Sequence, residues 1–566
     1  MNHNNRLRLS KLSIGLIVAL AAAPAFAQNT TAALNGQVVG ADGQPVVGAE
    51  VVILHTESGT SSRVVTDANG RYNARGLRVG GPYKITANKE GAGTQSESNV
   101  YLQLDQVSQV DISIGAQELE AISVVGSSGP EIFSADKMGA GTAISRQDLD
   151  NYASVQRNLQ DYVRFDPRIS QTDKERGEIS AGGQNSRYNT ITIDGVATND
   201  TFGLEANNLP TAKQPISIDA IDSVQVNISN YDVTQKGYTG ANINAVTKSG
   251  TNTFKGSVYY IYRDENGVGD RYNRTNGNYF NAPVFEETTK GLTIGGPLLK
   301  DRLFFFAAYE ELNSTRGAPE FGALGSAQTN VAITQSAITG AQGIARTNYN
   351  VDIGSSNVSA GELEVTDALF KLDANIGDNH RASLRWSKTE QSDPIFPTFF
   401  NNAISLSSHW YSQDKTIETY VGEFFSDWND KFSTEFKLSY RDYVSTPINN
   451  SNLPQIRLNF AGALPAGSPS VSSTNAGLVF GTERSRHFND LGTETWNFYA
   501  AGNLFLGDHT VKFGLDYDDN TVYNAFLQDT KGNYTFACIN TSGSLTYQFN
   551  GGAALACNTA TRFQII

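Results

Sequence analysis

Three segments in the second half of the chain alternate apolar and charged or small polar residues with a period of two. In one, Ala382, Leu384 and Trp386 alternate with Arg381, Ser383, Arg385 and Ser387. In another, Phe436, Leu438 and Tyr440 alternate with Glu435, Lys437, Ser439 and Arg441. In a third, Val511, Phe513, Leu515 and Tyr517 alternate with Lys512, Gly514 and Asp516. Successive side chains of a β-strand point to opposite faces. Each segment therefore offers one face to an apolar medium and needs a wet or protein-filled space on the other. The connections are unequal in a regular way. Leu298 to Arg302, Gly377-Asp378-Asn379, Asn429-Asp430-Lys431 and Gly507-Asp508-His509 read as tight turns, and long polar loops lie near 264–286, 312–363, 390–408 and 446–490. Tight turns at one end and long loops at the other are the signature of a membrane-spanning antiparallel β-barrel. A water-soluble sandwich gives no reason for such regularity. The 24 tyrosines and 29 phenylalanines suit aromatic girdles at the two interfaces.

The N-terminus sets the compartment. Arg6, Arg8 and Lys11 precede the apolar stretch Leu12 to Ala23, and Ala25-Phe26-Ala27 offers a small-x-small cleavage site before Gln28. Residues 1–27 thus read as a secretory signal peptide, too short to be a membrane anchor. Mean hydropathy of −0.34 excludes a bundle of membrane helices but not a barrel, whose strands average out as polar. Losing the three leader cations takes the formal net charge from −14 to −17, which argues against a nucleic-acid partner. The two cysteines, Cys538 and Cys557, are expected to form a disulfide within one outer loop of an exported chain. Two free thiols, or partners further along a longer chain, are the alternatives.

Three stretches precede the alternating half. Residues 28–117 carry short β-branched runs, Val51 to Leu54 and Val110 to Ile114 among them, separated by Asp42-Gly43, Asn69-Gly70 and Gly80-Gly81-Pro82, and predict a β-sandwich. Within it, His55-Thr56-Glu57 has no second histidine at metal-binding spacing, and His55 reads as an exposed strand-end residue. Residues 118–130 join a β-prone run, Leu119, Glu120, Ala121, Ile122, Ser123, Val124 and Val125, to the flexible Ser127-Ser128-Gly129-Pro130. Residues 131–250 predict a compact mixed α+β domain. Ser145 is an N-cap candidate, and Leu149, Tyr152, Val155, Leu159 and Val163 share one helical face that ends at Asp166-Pro167. Ile191-Thr192-Ile193 runs as a strand into a tight turn at Asp194-Gly195.

Specific motifs sit on this frame. Gly-Gln-Val, Asp-Gly-Gln-Pro-Val-Val-Gly-Ala-Glu-Val and Thr-Asp-Ala-Asn-Gly-Arg-Tyr in the first domain resemble the carboxypeptidase-regulatory-like domain. Tyr238 to Gly256, with Gly240, Ile243, Asn244, Val246, Thr247, Lys248, Ser249, Gly250 and Asn252, strongly resembles the plug-to-barrel junction of TonB-dependent outer-membrane receptors. Gln184-Asn185-Ser186-Arg187 and Ile193-Asp194-Gly195-Val196 fit the same family. With Gly295-Gly296-Pro297-Leu298 and Leu303-Phe304-Phe305-Phe306, the chain looks like the Oar-like branch. The resemblance implies a plug at 131–250 and, from 251 to 566, the first part of a barrel of about 22 strands. About nine strands can be counted before Ile566, so the barrel is expected to be incomplete in this chain, which ends on the outside in Gln-Ile-Ile rather than in an aromatic strand. The resemblance also implies a TonB box at Leu119–Val125, an extended strand that TonB would pair with by strand addition. The partners implied are TonB, outer-membrane lipid and an extracellular solute.

Catalytic chemistry has no foothold here. The sequence contains no phosphate-binding loop, nucleophile elbow or H-E-x-x-H motif, and neither a catalytic site, a cofactor nor a metal is expected. Asp516, Asp518, Asp519 and Asn520 resemble the start of a calcium loop but lack its glycine and distal glutamate, so Asp516 and Asp518 read as lumen-facing strand residues. Asp264, Glu265 and Asp270 read as a solvated outer loop. Two functions fit: energy-coupled uptake of a siderophore, vitamin, carbohydrate or peptide, or a surface adhesion and protein-handling module that imports no small molecule.

Overall fold

The computed structural model describes residues 30–104, 106–115, 139–174, 176–230, 232–273, 277–280, 284–316, 319–357, 361–460, 464–469, 476–507, 509–537, 539–541, 544–547 and 555–556. The signal peptide, the Leu119–Val125 run, Cys538 and Cys557 lie outside them. Three bodies follow one another: a sandwich, a plug and a curved wall.

The sandwich comprises β1 (Ala32–Val39), β2 (Glu50–His55), β3 (Thr60–Val65), β4 (Arg71–Leu77), β5 (Gly80–Lys89), β6 (Gly93–Leu102), β7 (Val107–Gln109) and β8 (Ile112–Ser113). One sheet runs β4-β1-β7 with β8 also on β1, and the other runs β3-β2-β5-β6. Alternate residues Val51, Ile53, Ile85 and Ala87 point inward and meet Leu34, Val38, Tyr72 and Ile112 from the facing sheet. His55 departs from expectation. It is 5% exposed, bonds Ser58 Oγ at 2.8 Å and stands edge-on to Tyr83. The end of the sandwich where it lies is covered by the wall.

The plug has a five-stranded sheet in the order β13-β12-β15-β14-β9, formed by β9 (Gly139–Ile144), β12 (Thr190–Ile193), β13 (Val196–Ala197), β14 (Ile221–Asn230) and β15 (Asn242–Thr247), with the hairpin β10 (Ile169–Asp173) and β11 (Glu178–Ala181) beside it. Ser145 caps α1 (Arg146–Asn151) through a reciprocal capping box with Asp148. The single helix expected as far as Asp166 is instead two. After α1 the chain turns extended at Tyr152 and begins again as α2 (Leu159–Val163), capped by Asn158. Ser154 Oγ donates to Asp161 at 2.7 Å and Asn158 Oδ1 accepts from Asp161 N at 3.0 Å. Short polar side chains that bond nearby groups compete with helix continuation, and Val155 is left exposed.

The wall is one antiparallel sheet of nine strands: β16 (Lys255–Asp264), β17 (Glu286–Leu299), β18 (Leu303–Arg316), β19 (Gly361–Ile376), β20 (His380–Ile395), β21 (Tyr411–Asn429), β22 (Phe432–Asn449), β23 (Asn489–Leu506) and β24 (His509–Phe526). The expected alternation is present. Leu384 and Leu438 are 62% and 52% exposed on the outer face, while Arg385, Lys437 and Arg441 are buried on the inner one. The fold is therefore mainly β, with a sandwich, a mixed plug and part of an antiparallel barrel.

Strands β17 to β24 run 14 to 19 residues, longer than the ~10 that a tilted strand needs to cross a bilayer. The segments on the long-loop side are correspondingly shorter than expected, and they are not simple polar loops. Ala403–Ser405, Gly477–Phe480, Gln455–Asn459 and Asn533–Ala537 form a four-stranded sheet. With α3 (Gln335–Tyr349) they enclose a core that includes Val331, Ile333, Ile338, Leu406, Leu478 and Phe480. These apolar residues are scattered in short runs over three loops, so no periodicity marked them.

Candidate functional site

The seat of the plug against the wall is built from the motif residues outward. Strand β12 turns back into β13 through Asp194 and Gly195, whose φ angles are +48° and +70°. Two-residue hairpins of this kind need left-handed backbone, which glycine adopts freely and aspartate tolerates. β12 pairs in parallel with β15, with Ile193 opposite Ala245. That register brings Thr247 to the turn. Its backbone N–H donates to Asp194 Oδ1 at 2.8 Å and its hydroxyl to Oδ2 at 2.8 Å.

The wall completes the cluster. Lys371 Nζ donates to Thr247 Oγ1 at 3.0 Å, and Arg385 Nη2 to Ile193 O at 3.4 Å. Arg385 Nε lies 3.1 Å from Asp194 Oδ2, an ion contact that is not an aligned hydrogen bond, with both side chains 3% exposed. Burial works against ionisation of Asp194, but Lys371, Arg385 and the two Thr247 donors outweigh it and hold the carboxyl below its ordinary range.

Further polar contacts continue around the seat. Arg441 Nη1 donates to Ala197 O at 2.5 Å, Lys415 pairs with Glu205, and Gln391 Oε1 accepts from Ala212 N at 2.8 Å. Glu310 accepts from Ser217 Oγ at 2.9 Å and Tyr259 Oη at 2.6 Å. Lys512 pairs with Asp232 at 2.6 Å. Lys236 lies between Asp516 at 2.6 Å and Asp518 at 2.5 Å, so these two carboxylates face inward to a plug lysine. Apolar wall residues Phe306, Ala308 and Leu369 join the plug core on one side.

The remaining motif residues have distinct places. Asn244 Oδ1 accepts from Thr192 Oγ1 at 2.9 Å within the plug sheet. A Cβ on Gly240 would lie 2.3 Å from Asn189 Oδ1, and one on Gly250 would lie 2.3 Å from Phe305 O, where the chain runs against the wall. Lys248 N donates to Ala220 O at 2.8 Å, and its ammonium is pushed down by burial and by Arg146. Ser249 is half-buried in the same exit segment. Arg187 is exposed beside Gly203 and takes no part in the Asp194 cluster. Sequence reasoning placed Arg385, Arg441, Lys512 and Asp516 on the inner face but did not pair them with the plug, and it missed Lys371, Lys415 and Glu310. Charge at inner-face positions was the available signal.

Residues 246–358 and 326–565 match the outer membrane beta barrel domain family, and residues 33–115 match the carboxypeptidase regulatory-like domain. The chain belongs to the outer membrane beta barrel domain family. It is an outer-membrane protein, similar in part to a TonB-dependent transporter. The TonB-dependent transporter Oar of Myxococcus xanthus is 29% identical to this beta-barrel family member over 314 residues, which are 52% of this chain and 28% of that protein. Two solved structures are similar. The outer membrane transporter YddB from Escherichia coli is 11% identical, with a TM-score of 0.48, over 68% of this chain and 48% of that one. The siderophore receptor PirA from Acinetobacter baumannii is 16% identical, with a TM-score of 0.43, over the same shares of 68% and 48%. The chain thus spans 28% of the curated relative and about half of these structures.

Proposed function

We propose that this chain is the sandwich, plug and leading barrel portion of a TonB-dependent receptor that takes up a solute across the outer membrane. The observation that carries this reading is the polar seat of the plug. Most of its ties to the wall are ion pairs and hydrogen bonds, centred on Asp194, Thr247, Lys371 and Arg385. Such ties can be exchanged for water one at a time, which an extended apolar interface does not permit. In this mechanism a solute binds at the outer side, the plug loosens, and TonB pairs with Leu119–Val125 and pulls. No catalytic role, cofactor or metal is part of it. The solute class stays as broad as siderophore, vitamin, carbohydrate or peptide.

Ile122→Pro removes a backbone donor from the strand that TonB would join. Cells in complex medium are compared by untargeted mass spectrometry of dissolved and cell-bound solutes. A solute depleted by the parent and not by a deletion strain should remain in the medium of the Ile122→Pro strain while still binding to its cells. Depletion at the parent rate, or loss of the bound fraction, refutes the role given to this segment.

The folded cap that the four-stranded sheet and α3 form on the long-loop side favours a second reading, a rigid surface for adhesion or protein handling. Deleting 317–360 should then reduce surface attachment with no nutrient-dependent growth defect. A growth defect with attachment intact favours uptake.

A further inference from the structure

The sandwich sits on the short-turn mouth of the barrel, and its contacts reach both the wall and the segment by which the plug leaves. At the β2–β3 turn, Asn252 N donates to Glu57 O at 2.7 Å and Lys255 Nζ bonds Glu57 Oε1 at 2.6 Å. Along β3, Thr60 Oγ1 donates to Asn375 Oδ1 at 3.2 Å, Ser61 Oγ to Asp378 Oδ1 at 3.3 Å and Ser62 Oγ to Asp427 Oδ2 at 3.4 Å. Asn375 and Asp427 lie at the short-turn ends of β19 and β21, and Asp378 lies in the turn between β19 and β20.

Two arginines interlock across the junction. Arg78 of the sandwich donates to Gly250 O at 3.2 Å, with its guanidinium 5.4 Å over the Phe304 ring. Arg381 of the wall lines a cleft with Ile53, Leu77 and Tyr83 at the end of the sandwich. The fit is close. A Cβ on Gly76 would lie 3.0 Å from Arg381 Nη2, and one on Gly59 would lie 2.2 Å from Asp301 Oδ1.

The make-up of this junction is that of a contact built to part. Its three bonds along β3 are side-chain and long, its two short bonds meet at the single residue Glu57, and its Arg63–Asp378 pair is 49% and 57% exposed, a kind that contributes little. Contacts between domains of one chain with such polar character resemble transient interfaces. What it grips is specific: Gly250, Asn252 and Lys255 are the exit of the plug into β16.

We propose that the sandwich is a releasable latch, which when docked pins the plug's exit segment to the barrel mouth and must let go for the plug to move. This inference rests on the uptake reading. Two engineered cysteine pairs separate it from that reading: Ser61→Cys with Asp378→Cys across the latch, and Lys236→Cys with Asp518→Cys across the plug seat. Each is made in the native protein, in living cells in complex medium, and folding is checked by heat-modifiability. Disulfide yield is read from the specific linked peptides by mass spectrometry, so Cys538 and Cys557 do not interfere. The latch pair should form efficiently when a protonophore has collapsed the proton gradient, and its yield should fall at least threefold in energised cells, together with that of the plug pair. A plug pair that responds beside a latch pair that does not overturns the latch and keeps the uptake reading. Failure of both pairs to respond overturns both. A latch pair that never forms overturns the docking itself.

Discussion

Asp194→Asn tests the seat most directly. The substitution keeps the shape of the side chain and the acceptor for Thr247 N, but it leaves Lys371 and Arg385 facing a neutral amide in a buried place. Removing one partner from a buried ion pair costs about 3–5 kcal/mol. Because Arg385 Nε makes an unaligned contact, the lower end, about 3 kcal/mol, is expected. At about 1.4 kcal/mol per tenfold, amide exchange that proceeds through plug opening should accelerate roughly 100-fold. The assay is hydrogen exchange by mass spectrometry on peptides covering β12, β13 and β15 in the purified protein. An acceleration below threefold would refute the structural weight placed on this carboxylate. Adding Arg385→Gln should recover part of the loss, since Lys371 is then the one buried cation of the pair left facing the amide. The pH dependence has a definite sign. The folded carboxyl lies below its ordinary 3.8, so its contribution is fully present above that pH and is lost as the pH falls through the depressed folded value. The seat should therefore hold through mildly acidic conditions.

Three further outcomes are expected. His55 is driven from 6.5 to about 3 by burial and then by Arg78, Lys255 and Arg381, so the unfolded state gains protons first and sandwich stability falls as pH drops from 6.5 toward 3. His55→Phe should flatten that slope, at most about 1.4 kcal/mol per pH unit, in acid titrations of thermal unfolding. Gly240→Ala sets a methyl 2.3 Å from Asn189 Oδ1, which already accepts from Ala241 N; plug unfolding should show a loss of about 1–3 kcal/mol. Leu384→Arg puts a charge on the outer face and should cost about 2–4 kcal/mol of barrel stability if near the midplane, seen as reduced heat-modifiable protein in lipid vesicles.

The wall was legible because Leu384 and Arg385 need opposite media, and period two allows one arrangement for both. The turn at Asp194-Gly195 was legible because few residues accept positive φ twice in succession. The broken helix was not, since its apolar spacing survives while Ser154 and Asn158 bond locally and stop it. Nor was the plug seat: Asp194 and Thr247 announce a motif, but their wall partners Lys371 and Arg385 stand far along the chain and meet them only through barrel curvature. The lowered pKa of His55 depends likewise in part on charges, Lys255 and Arg381, that lie outside its own domain.

The 19 residues of β21 rise about 3.3 Å each, roughly 60 Å along the strand, and at the ~40° tilt of such barrels about 45–50 Å along the membrane normal. The apolar band they must cross is about 25 Å tall. Because the opposite ends close in short hairpins, most of that overhang stands on the outer side, carrying the cap at its top. The wall thus stands like a turret, with its folded long-loop end well above the lipid headgroups.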